Sequence, residues 1–431
     1  MHIVSDARTT VRSSVVIIGA GLVGCATAYY LARRGVSVCV LERGRVGAEQ
    51  SSRAWGLLRQ QGRDPAELPL ASEALRMWPT LPQELGADMQ LTRNGILMLA
   101  ESAEDEVRLI DAEANAKLHG IECRLLTPRE VALLIPELAS GWRIGLYTPN
   151  DGHVEPIEAT HAFATAARSL GVDIHENSPV LGVETTAGVA SGAVTARGVF
   201  AGEAILCISG IGSADVTRTL GTSLPIQVVR ATVAQTLPAS RITPIPVWAP
   251  HAAFRPRADG TFYVGNGYRG IDAEHDLTLE SFRHLRAFFP MFLANRHVVR
   301  LRIGRPLIED LRRRGADRAD PLSEPEPNHR LVKENAHGFA RLVPQFKELG
   351  IARSWAGRID ATPDLIPMIG ELPSVGRYYI AAGFNGHGLA LAPAVGRALA
   401  EIVVDGRSSV DLHGLRVERY GEGDFKRTGK L

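Results

Sequence analysis

Three glycines and an acid, Gly19, Gly21, Gly24 and Glu42, have types and spacing that can hold a pyrophosphate and a ribose. Val15 to Ile18 is an apolar run of strand length. The glycine turn follows, then a helix-periodic segment to Arg34, Gly35, and a second apolar run that ends at Glu42. Strand, glycine turn, helix, strand and acid, in that order, form the dinucleotide-binding βαβ fingerprint. Gly19 permits the tight turn, Gly21 lets backbone approach the pyrophosphate, and Gly24 lets helix pack close on strand. The helix start offers free N–H groups and a positive dipole end to phosphates. Glu42 is placed to accept hydrogen bonds from a ribose. Arg43 beside it, and Ser51, Ser52 and Arg53 in the polar loop that follows, are expected to neighbour the same ligand.

A second glycine run, Gly383-Phe384-Asn385-Gly386-His387-Gly388, follows the apolar segment Tyr378–Ala382 and precedes a clean helical stretch. It suggests one long cofactor held at both ends by Gly383, Asn385, Gly386, His387 and Gly388. A helix start there can stabilise negative charge on an electron-rich ring. A reduced flavin carries such charge; a nicotinamide does not. His387 is a candidate to touch flavin or substrate, and hence a catalytic candidate, with an ordinary loop histidine as the alternative. A guanidinium fork matches a carboxylate in bidentate fashion. Arg59 and Arg358 are candidates for that role, with structural ion pairing as the alternative. No nucleophile stands at readable spacing from a base, so hydrolytic chemistry is not supported.

The elements that must position these groups fit a chain of 431 residues, long enough for two domains. A net charge of +1, with no basic tract interleaved with aromatics, argues against a nucleic-acid partner. Cys25, Cys39, Cys123 and Cys207 lack metal or disulfide spacing, so no metal is expected. Residues 1–14 are polar, and no apolar run approaches the roughly 20 residues of a membrane span. The expectation is a cytoplasmic protein.

Strand-like runs at 226–235 and 252–266, the latter broken by the hairpin signal Asp259-Gly260, suggest an antiparallel sheet distinct from the parallel one. The expected architecture is a discontinuous α/β Rossmann-like cofactor domain over 13–90, 150–225 and 353–415. An α+β substrate domain covers 91–149 and 226–300. Residues 301–350, with Arg312 to Arg314 and the Pro/Glu-rich stretch Asp320 to Asn328, read as a helical surface insertion. A peripheral membrane contact through its cationic face stays open, as does an oligomer.

The N-terminal unit, the segment Trp355-Ala356-Gly357-Arg358-Ile359-Asp360-Ala361-Thr362-Pro363-Asp364 with Pro367 and Ile369-Gly370, and Gly383 to Gly388 together resemble the D-amino-acid oxidase and sarcosine oxidase superfamily of FAD-dependent amine oxidoreductases. The resemblance covers nearly the whole chain and is similar in its Trp-Gly-Pro-Asp pattern to sarcosine oxidase β-subunits. The loop Glu49 to Arg53 and the hairpin Phe254 to Thr261 also resemble those of bacterial membrane-associated L-amino-acid deaminases, which carry a helical module before the Trp-Gly-Pro-Asp segment. It implies a glutathione-reductase-type FAD domain, with Gly357 among the cofactor contacts. It also implies that Arg255 binds the substrate carboxylate, as a catalytic-site residue. Ile359 stands where related enzymes bond the flavin through cysteine, which implies non-covalent FAD. A substrate-binding lysine is replaced by Ala390, and an oxygen-activating lysine falls near Tyr263. The deaminases' pocket glutamine falls near Leu57, so their substrate preference does not transfer.

The expected activity is oxidation of the Cα–N bond of an amino acid by hydride transfer to flavin, giving an imine and then a 2-oxo acid. The alternative substrate is a secondary amine: N-methyl, cyclic or a D-amino acid. Oxygen, a quinone or another carrier would reoxidise the flavin. An alternative of another class is a flavin-binding electron-relay or structural subunit of a heteromeric complex.

Overall fold

A computed structural model describes residues 10–270, 273–304, 307–308 and 324–425. The first strand, Thr10–Ile18, lies in the middle of a sheet, with Gly198–Cys207 and Val38–Leu41 parallel on its two sides. Tyr378–Ala382 continues the sheet in parallel beyond Gly198–Cys207, and Asp173–His175 does so beyond Val38–Leu41. Met368–Glu371 closes one edge antiparallel, and the hairpin Val180–Thr186/Val189–Thr195 hangs from Gly198–Cys207. The stretches 15–18, Val38–Leu41 and 204–207 of the central strands read as unbroken apolar runs because both sheet faces are covered there. Val16, Ile17, Val40 and Ile205 are fully buried. Helix Leu22–Arg33 packs on this sheet between Pro156–Ser169 and Gly388–Asp405.

The chain order has a direct consequence for the site. Five parallel strands end on one side, so the segments after Ile18, Leu41, His175, Cys207 and Ala382 gather at their carboxyl ends. That is where an open α/β sheet binds its ligand.

The second sheet runs Val299–Arg302, Ala273–Asp276, Gln227–Thr236, Phe262–Gly265, Ala253–Pro256, Val247–Trp248, Ile96–Ala100, Ile144–Thr148 and Arg124–Leu126, with Ile351–Ala361 also paired along Gln227–Thr236. Most pairs are antiparallel, but two are parallel: Val247–Trp248 on Ile96–Ala100, and Ala273–Asp276 on Val299–Arg302. The Asp259-Gly260 signal forms a hairpin turn, with Gly260 at φ +81°.

The stretch expected as a surface insertion differs in its second half. Helix His329–Leu342 places Leu331, Asn335, Phe339 and Leu342 on one buried face. Phe339 meets Phe254 and Phe262 edge-on or tilted, at 5.4 and 5.3 Å between ring centroids. This is an amphipathic core helix, which the many charges on its other face disguised in the sequence. Arg312 to Arg314 and Asp320 to Ser323 lie outside the described residues. Among the described residues no helix is long and apolar enough to cross a membrane.

Candidate functional site

The glycine turn is closed by backbone, not by side chains. A Cβ on Gly24 would lie 2.0 Å from the Gly19 carbonyl oxygen, and one on Gly19, at φ +109°, 2.4 Å from the Ile208 oxygen. Gly21 is different: its Cβ would meet only Ser51 Oγ, at 3.2 Å. Gly21 caps helix Leu22–Arg33, whose first turn holds no acidic residue, so its positive end is uncompensated. Ser51 Oγ accepts a hydrogen bond from the Leu22 N–H at 2.9 Å. Glu42 accepts from the Ala20 and Gly44 N–H groups, at 2.8 Å each. Burial pushes its carboxyl above the usual range, against those two bonds. The cradle has the shape, open helix end and acid that a dinucleotide needs.

Around it the structure gathers the rest of the expected cofactor set. Arg43 pairs with Glu49. A Cβ on Gly212, in the turn after Cys207, would stand 3.8 Å from Arg43 Nη1. Ser51, Ser52 and Arg53 form a short helix, Gln50–Arg53, where a loop was expected. Ser52 Oγ donates to the Glu49 carbonyl and accepts from Arg53 Nη1 at 2.8 Å. Arg53 also pairs with Glu324. Gly357 lies against Arg53, its Cβ position 2.9 Å from that of the arginine, and Gly386 lies against Ile359.

Asp360, which sequence reasoning did not single out, ties three of these segments together. Its Oδ1 accepts from Gln50 Nε2 at 2.8 Å and its Oδ2 from the Gly383 N–H at 2.6 Å, while its carbonyl accepts from the Asn385 N–H. Asn385 Oδ1 in turn accepts the Thr362 N–H at 2.9 Å. Gly388 begins the helix Gly388–Asp405.

Arg255, expected to meet a substrate carboxylate, is 1% exposed and bound to protein. Its Nη2 donates to Glu155 Oε1 at 2.8 Å, its Nη1 faces His153 Nδ1 at 3.3 Å, and its guanidinium stacks 4.5 Å over the Tyr263 ring. Arg257 grips both oxygens of the same Glu155. Burial pushes that carboxyl up, but the two guanidinia outweigh burial and bring it below the usual range. His153 is driven down to about 4, by burial and then by Arg255. It is therefore neutral, with Nε2–H donating to the Pro244 carbonyl and Nδ1 accepting from Arg255. Arg358 stands opposite Arg230, whose guanidinium meets Glu274 and Asp276.

Arg59 and His387 remain, and the structure joins them through residues the sequence reading passed over. Arg59 lies 4.5 Å over the Trp248 ring and bonds the Gln61 carbonyl. Arg63 Nε donates to the Arg59 carbonyl, and Glu67 Oε1 is 3.3 Å from His387 Nδ1. Asp151 accepts the Gln60 N–H at 2.9 Å and is pushed up to about 7 by burial. Within this buried cluster Arg59 and His387 are partly open, whereas Arg63, Glu67 and Asp151 are shut in. Among the described residues, Arg63 Nη1, Gln61 Oε1 and Trp248 Nε1 are buried here without a hydrogen-bond partner. Two cations and unused donors beside a glycine-rich helix start are suited to hold a small anion next to a cofactor ring. The available signal was the density of charge in Arg59-Gln60-Gln61-Gly62-Arg63-Asp64, unusual for a plain turn.

A profile of the family described as "DAO: FAD dependent oxidoreductase" matches residues 14–402. The chain is 28% identical over 409 residues to 4-methylaminobutanoate oxidase (formaldehyde-forming) of Paenarthrobacter nicotinovorans, covering 94% of this chain and 45% of that protein. Glycine oxidase of Geobacillus kaustophilus is 26% identical, with 95% of this chain and 98% of that one covered. The chain thus spans under half the length of the first relative and nearly all of the second. Among solved structures, L-amino acid deaminase from Proteus myxofaciens superposes with a TM-score of 0.88 over 96% of this chain and 95% of the other, at 24% identity, a likeness of fold.

Proposed function

Because the chain belongs to the DAO family of FAD-dependent oxidoreductases, we propose that it oxidises the C–N bond of a small amino acid to an imine, which water hydrolyses to a 2-oxo acid. FAD, when bound, supplies the two-electron acceptor. The eight-stranded sheet serves as its domain and the ten-stranded sheet as the substrate domain. Gly19, Gly21, Gly24, Glu42 and Ser51 hold the dinucleotide end, and Gly383 to Gly388 the other. The observation that carries this reading is the pair of partly open groups, Arg59 and His387, in an otherwise buried cluster at the second glycine turn.

Arg59 anchors the substrate carboxylate, with its plane fixed against Trp248. Anchoring converts the encounter into a positioned reaction and excludes water from the reacting carbon. Arg59→Ala should cost about 2–5 kcal/mol of binding. The readout is a KM for carboxylate substrates raised roughly thirtyfold or more, at 1.4 kcal/mol per tenfold. An unchanged KM would remove Arg59 from the role.

The test of the whole reading is anaerobic bleaching of the flavin by L-, D-, N-methyl and cyclic amino acids supplied one at a time. No bleaching by any of them would sink it and favour an electron-relay subunit. The second reading, an N-methylated amine, is favoured by the similarity to a formaldehyde-forming oxidase. Formaldehyde rather than ammonia in the product mixture selects it. Oxygen uptake by the bleached protein then separates oxygen from a quinone or other carrier as acceptor.

FAD is held without a covalent bond, on the strength of Ile359 beside Gly386 and of four cysteines that are all buried. Acid precipitation should release all the yellow colour into solution. Colour retained in the pellet would contradict this.

A further inference from the structure

Resting on the amine-oxidising reading above, we propose that the His387–Glu67 pair receives the substrate's amino group and takes it as the neutral amine. Glu67 stands at the start of helix Leu68–Met77 but makes no side-chain cap there. Its carboxylate instead reaches His387, 320 residues further along the chain. Glu67 is 1% exposed; the histidine side chain keeps 19% of its surface open.

The carboxylate fixes the tautomer. An acceptor at Glu67 Oε1 requires the proton on Nδ1, which leaves Nε2 with its lone pair. Among the described residues Nε2 has no hydrogen-bond partner. The ring therefore presents an acceptor, the complement of an amine N–H.

Charge selects the protonation state. The groups facing His387 are Glu67, Arg63 and Arg59, with Asp151 behind the two arginines. Burial and then Arg63 drive the histidine down to about 4, so it stays neutral. Glu67 is already committed to the ring, and Asp151 is fully buried on the Gln60 and Gln61 N–H groups. Among the described residues, an ammonium here would meet two guanidinia and no free carboxylate. A neutral amine donates an N–H to Nε2 and keeps the lone pair that becomes part of the C=N bond. The proton lost from the ammonium goes to solvent, one per ligand bound, before any C–H bond breaks.

The probe is 2-aminoisobutyrate, which has no Cα–H and so is not oxidised there. Isobutyrate, lacking the amino group, is the control. Affinity for the flavin-loaded protein is read from the flavin absorbance change, and proton release by calorimetry in buffers of different ionisation enthalpy. Below the ligand's own ammonium pKa, its Kd should fall about tenfold per pH unit with about one proton released. Isobutyrate should show no such slope. His387→Leu should abolish the preference for 2-aminoisobutyrate, about tenfold or the worth of one hydrogen bond, while isobutyrate still binds. Glu67→Gln, checked for full flavin content, should reduce the same preference.

A pH-independent Kd, or an amine preference intact in His387→Leu, overturns the proposal. So does the absence of any preference at any pH. Flavin bleaching by an amine alongside such a result would leave the oxidation reading standing. Amine-selective, pH-linked binding without bleaching by any amine would do the reverse.

Discussion

Gly24→Ala should yield a protein with almost no bound flavin. The alanine methyl would sit 2.0 Å from the Gly19 carbonyl oxygen, an atom fixed in the tight turn that leaves the first strand. Overpacking a core usually costs about 1–3 kcal/mol because side chains shift to relieve it. Here the obstacle is backbone, so the helix must lift off the strand and open the turn that faces the pyrophosphate. A rise of even about 1.4 kcal/mol in the free energy of the bound state is tenfold in affinity. The measurement is flavin per chain after purification, with thermal denaturation alongside. Gly21→Ala is the control, since its methyl would meet only the movable Ser51 hydroxyl at 3.2 Å. It should fold normally and lose affinity through the ligand alone. Full flavin occupancy in Gly24→Ala would refute the packing account.

The second large effect is on stability. Arg255→Leu removes one of two guanidinia that share the buried Glu155, and truncating one partner of such a pair costs about 3–5 kcal/mol. Urea denaturation should show the loss at pH 7. The carboxyl of Glu155 lies below its ordinary value in the folded protein. Its contribution is therefore present above the unfolded carboxylate pKa of about 4.3 and drains away as pH falls through the lower folded value. The variant should be least impaired, relative to the parent, under acid conditions. A stable variant with only a raised KM would instead mean that Arg255 holds the substrate.

These two cases mark what the sequence made legible. The Gly19–Glu42 unit is readable because its mechanics are local: turn, helix and acid fall within one short stretch, and each residue type has one physical reason to be there. The second glycine run is readable for the same cause. Arg255 is not, because its fate depends on Glu155, a hundred residues away in sequence, and nothing in a strand with one arginine reveals which acid it will meet. Glu67 and His387 are further apart still, and Asp360 reaches Gln50 across 310 residues. Helix His329–Leu342 falls in the stretch read as helical, but its burial was masked by the charges on its other face. Long-range pairings of charge are a product of topology, and topology is what a linear reading supplies last.

The gathering of strand ends around one cradle also bears on how the protein is made. Thr10–Ile18 can pair early with Val38–Leu41, but its other neighbour exists only once Gly198–Cys207 is made, and that strand is flanked in turn by Tyr378–Ala382. Asp360 then fastens the Gly383 turn to the Gln50–Arg53 helix. A ribosome adding roughly 5–20 residues per second spends roughly twenty seconds to a minute between the first glycine turn and the second. Through that interval the nascent chain holds half a cradle with an apolar strand edge beside it. The cradle is thus complete only late in synthesis, because its second glycine turn is among the last segments to be made.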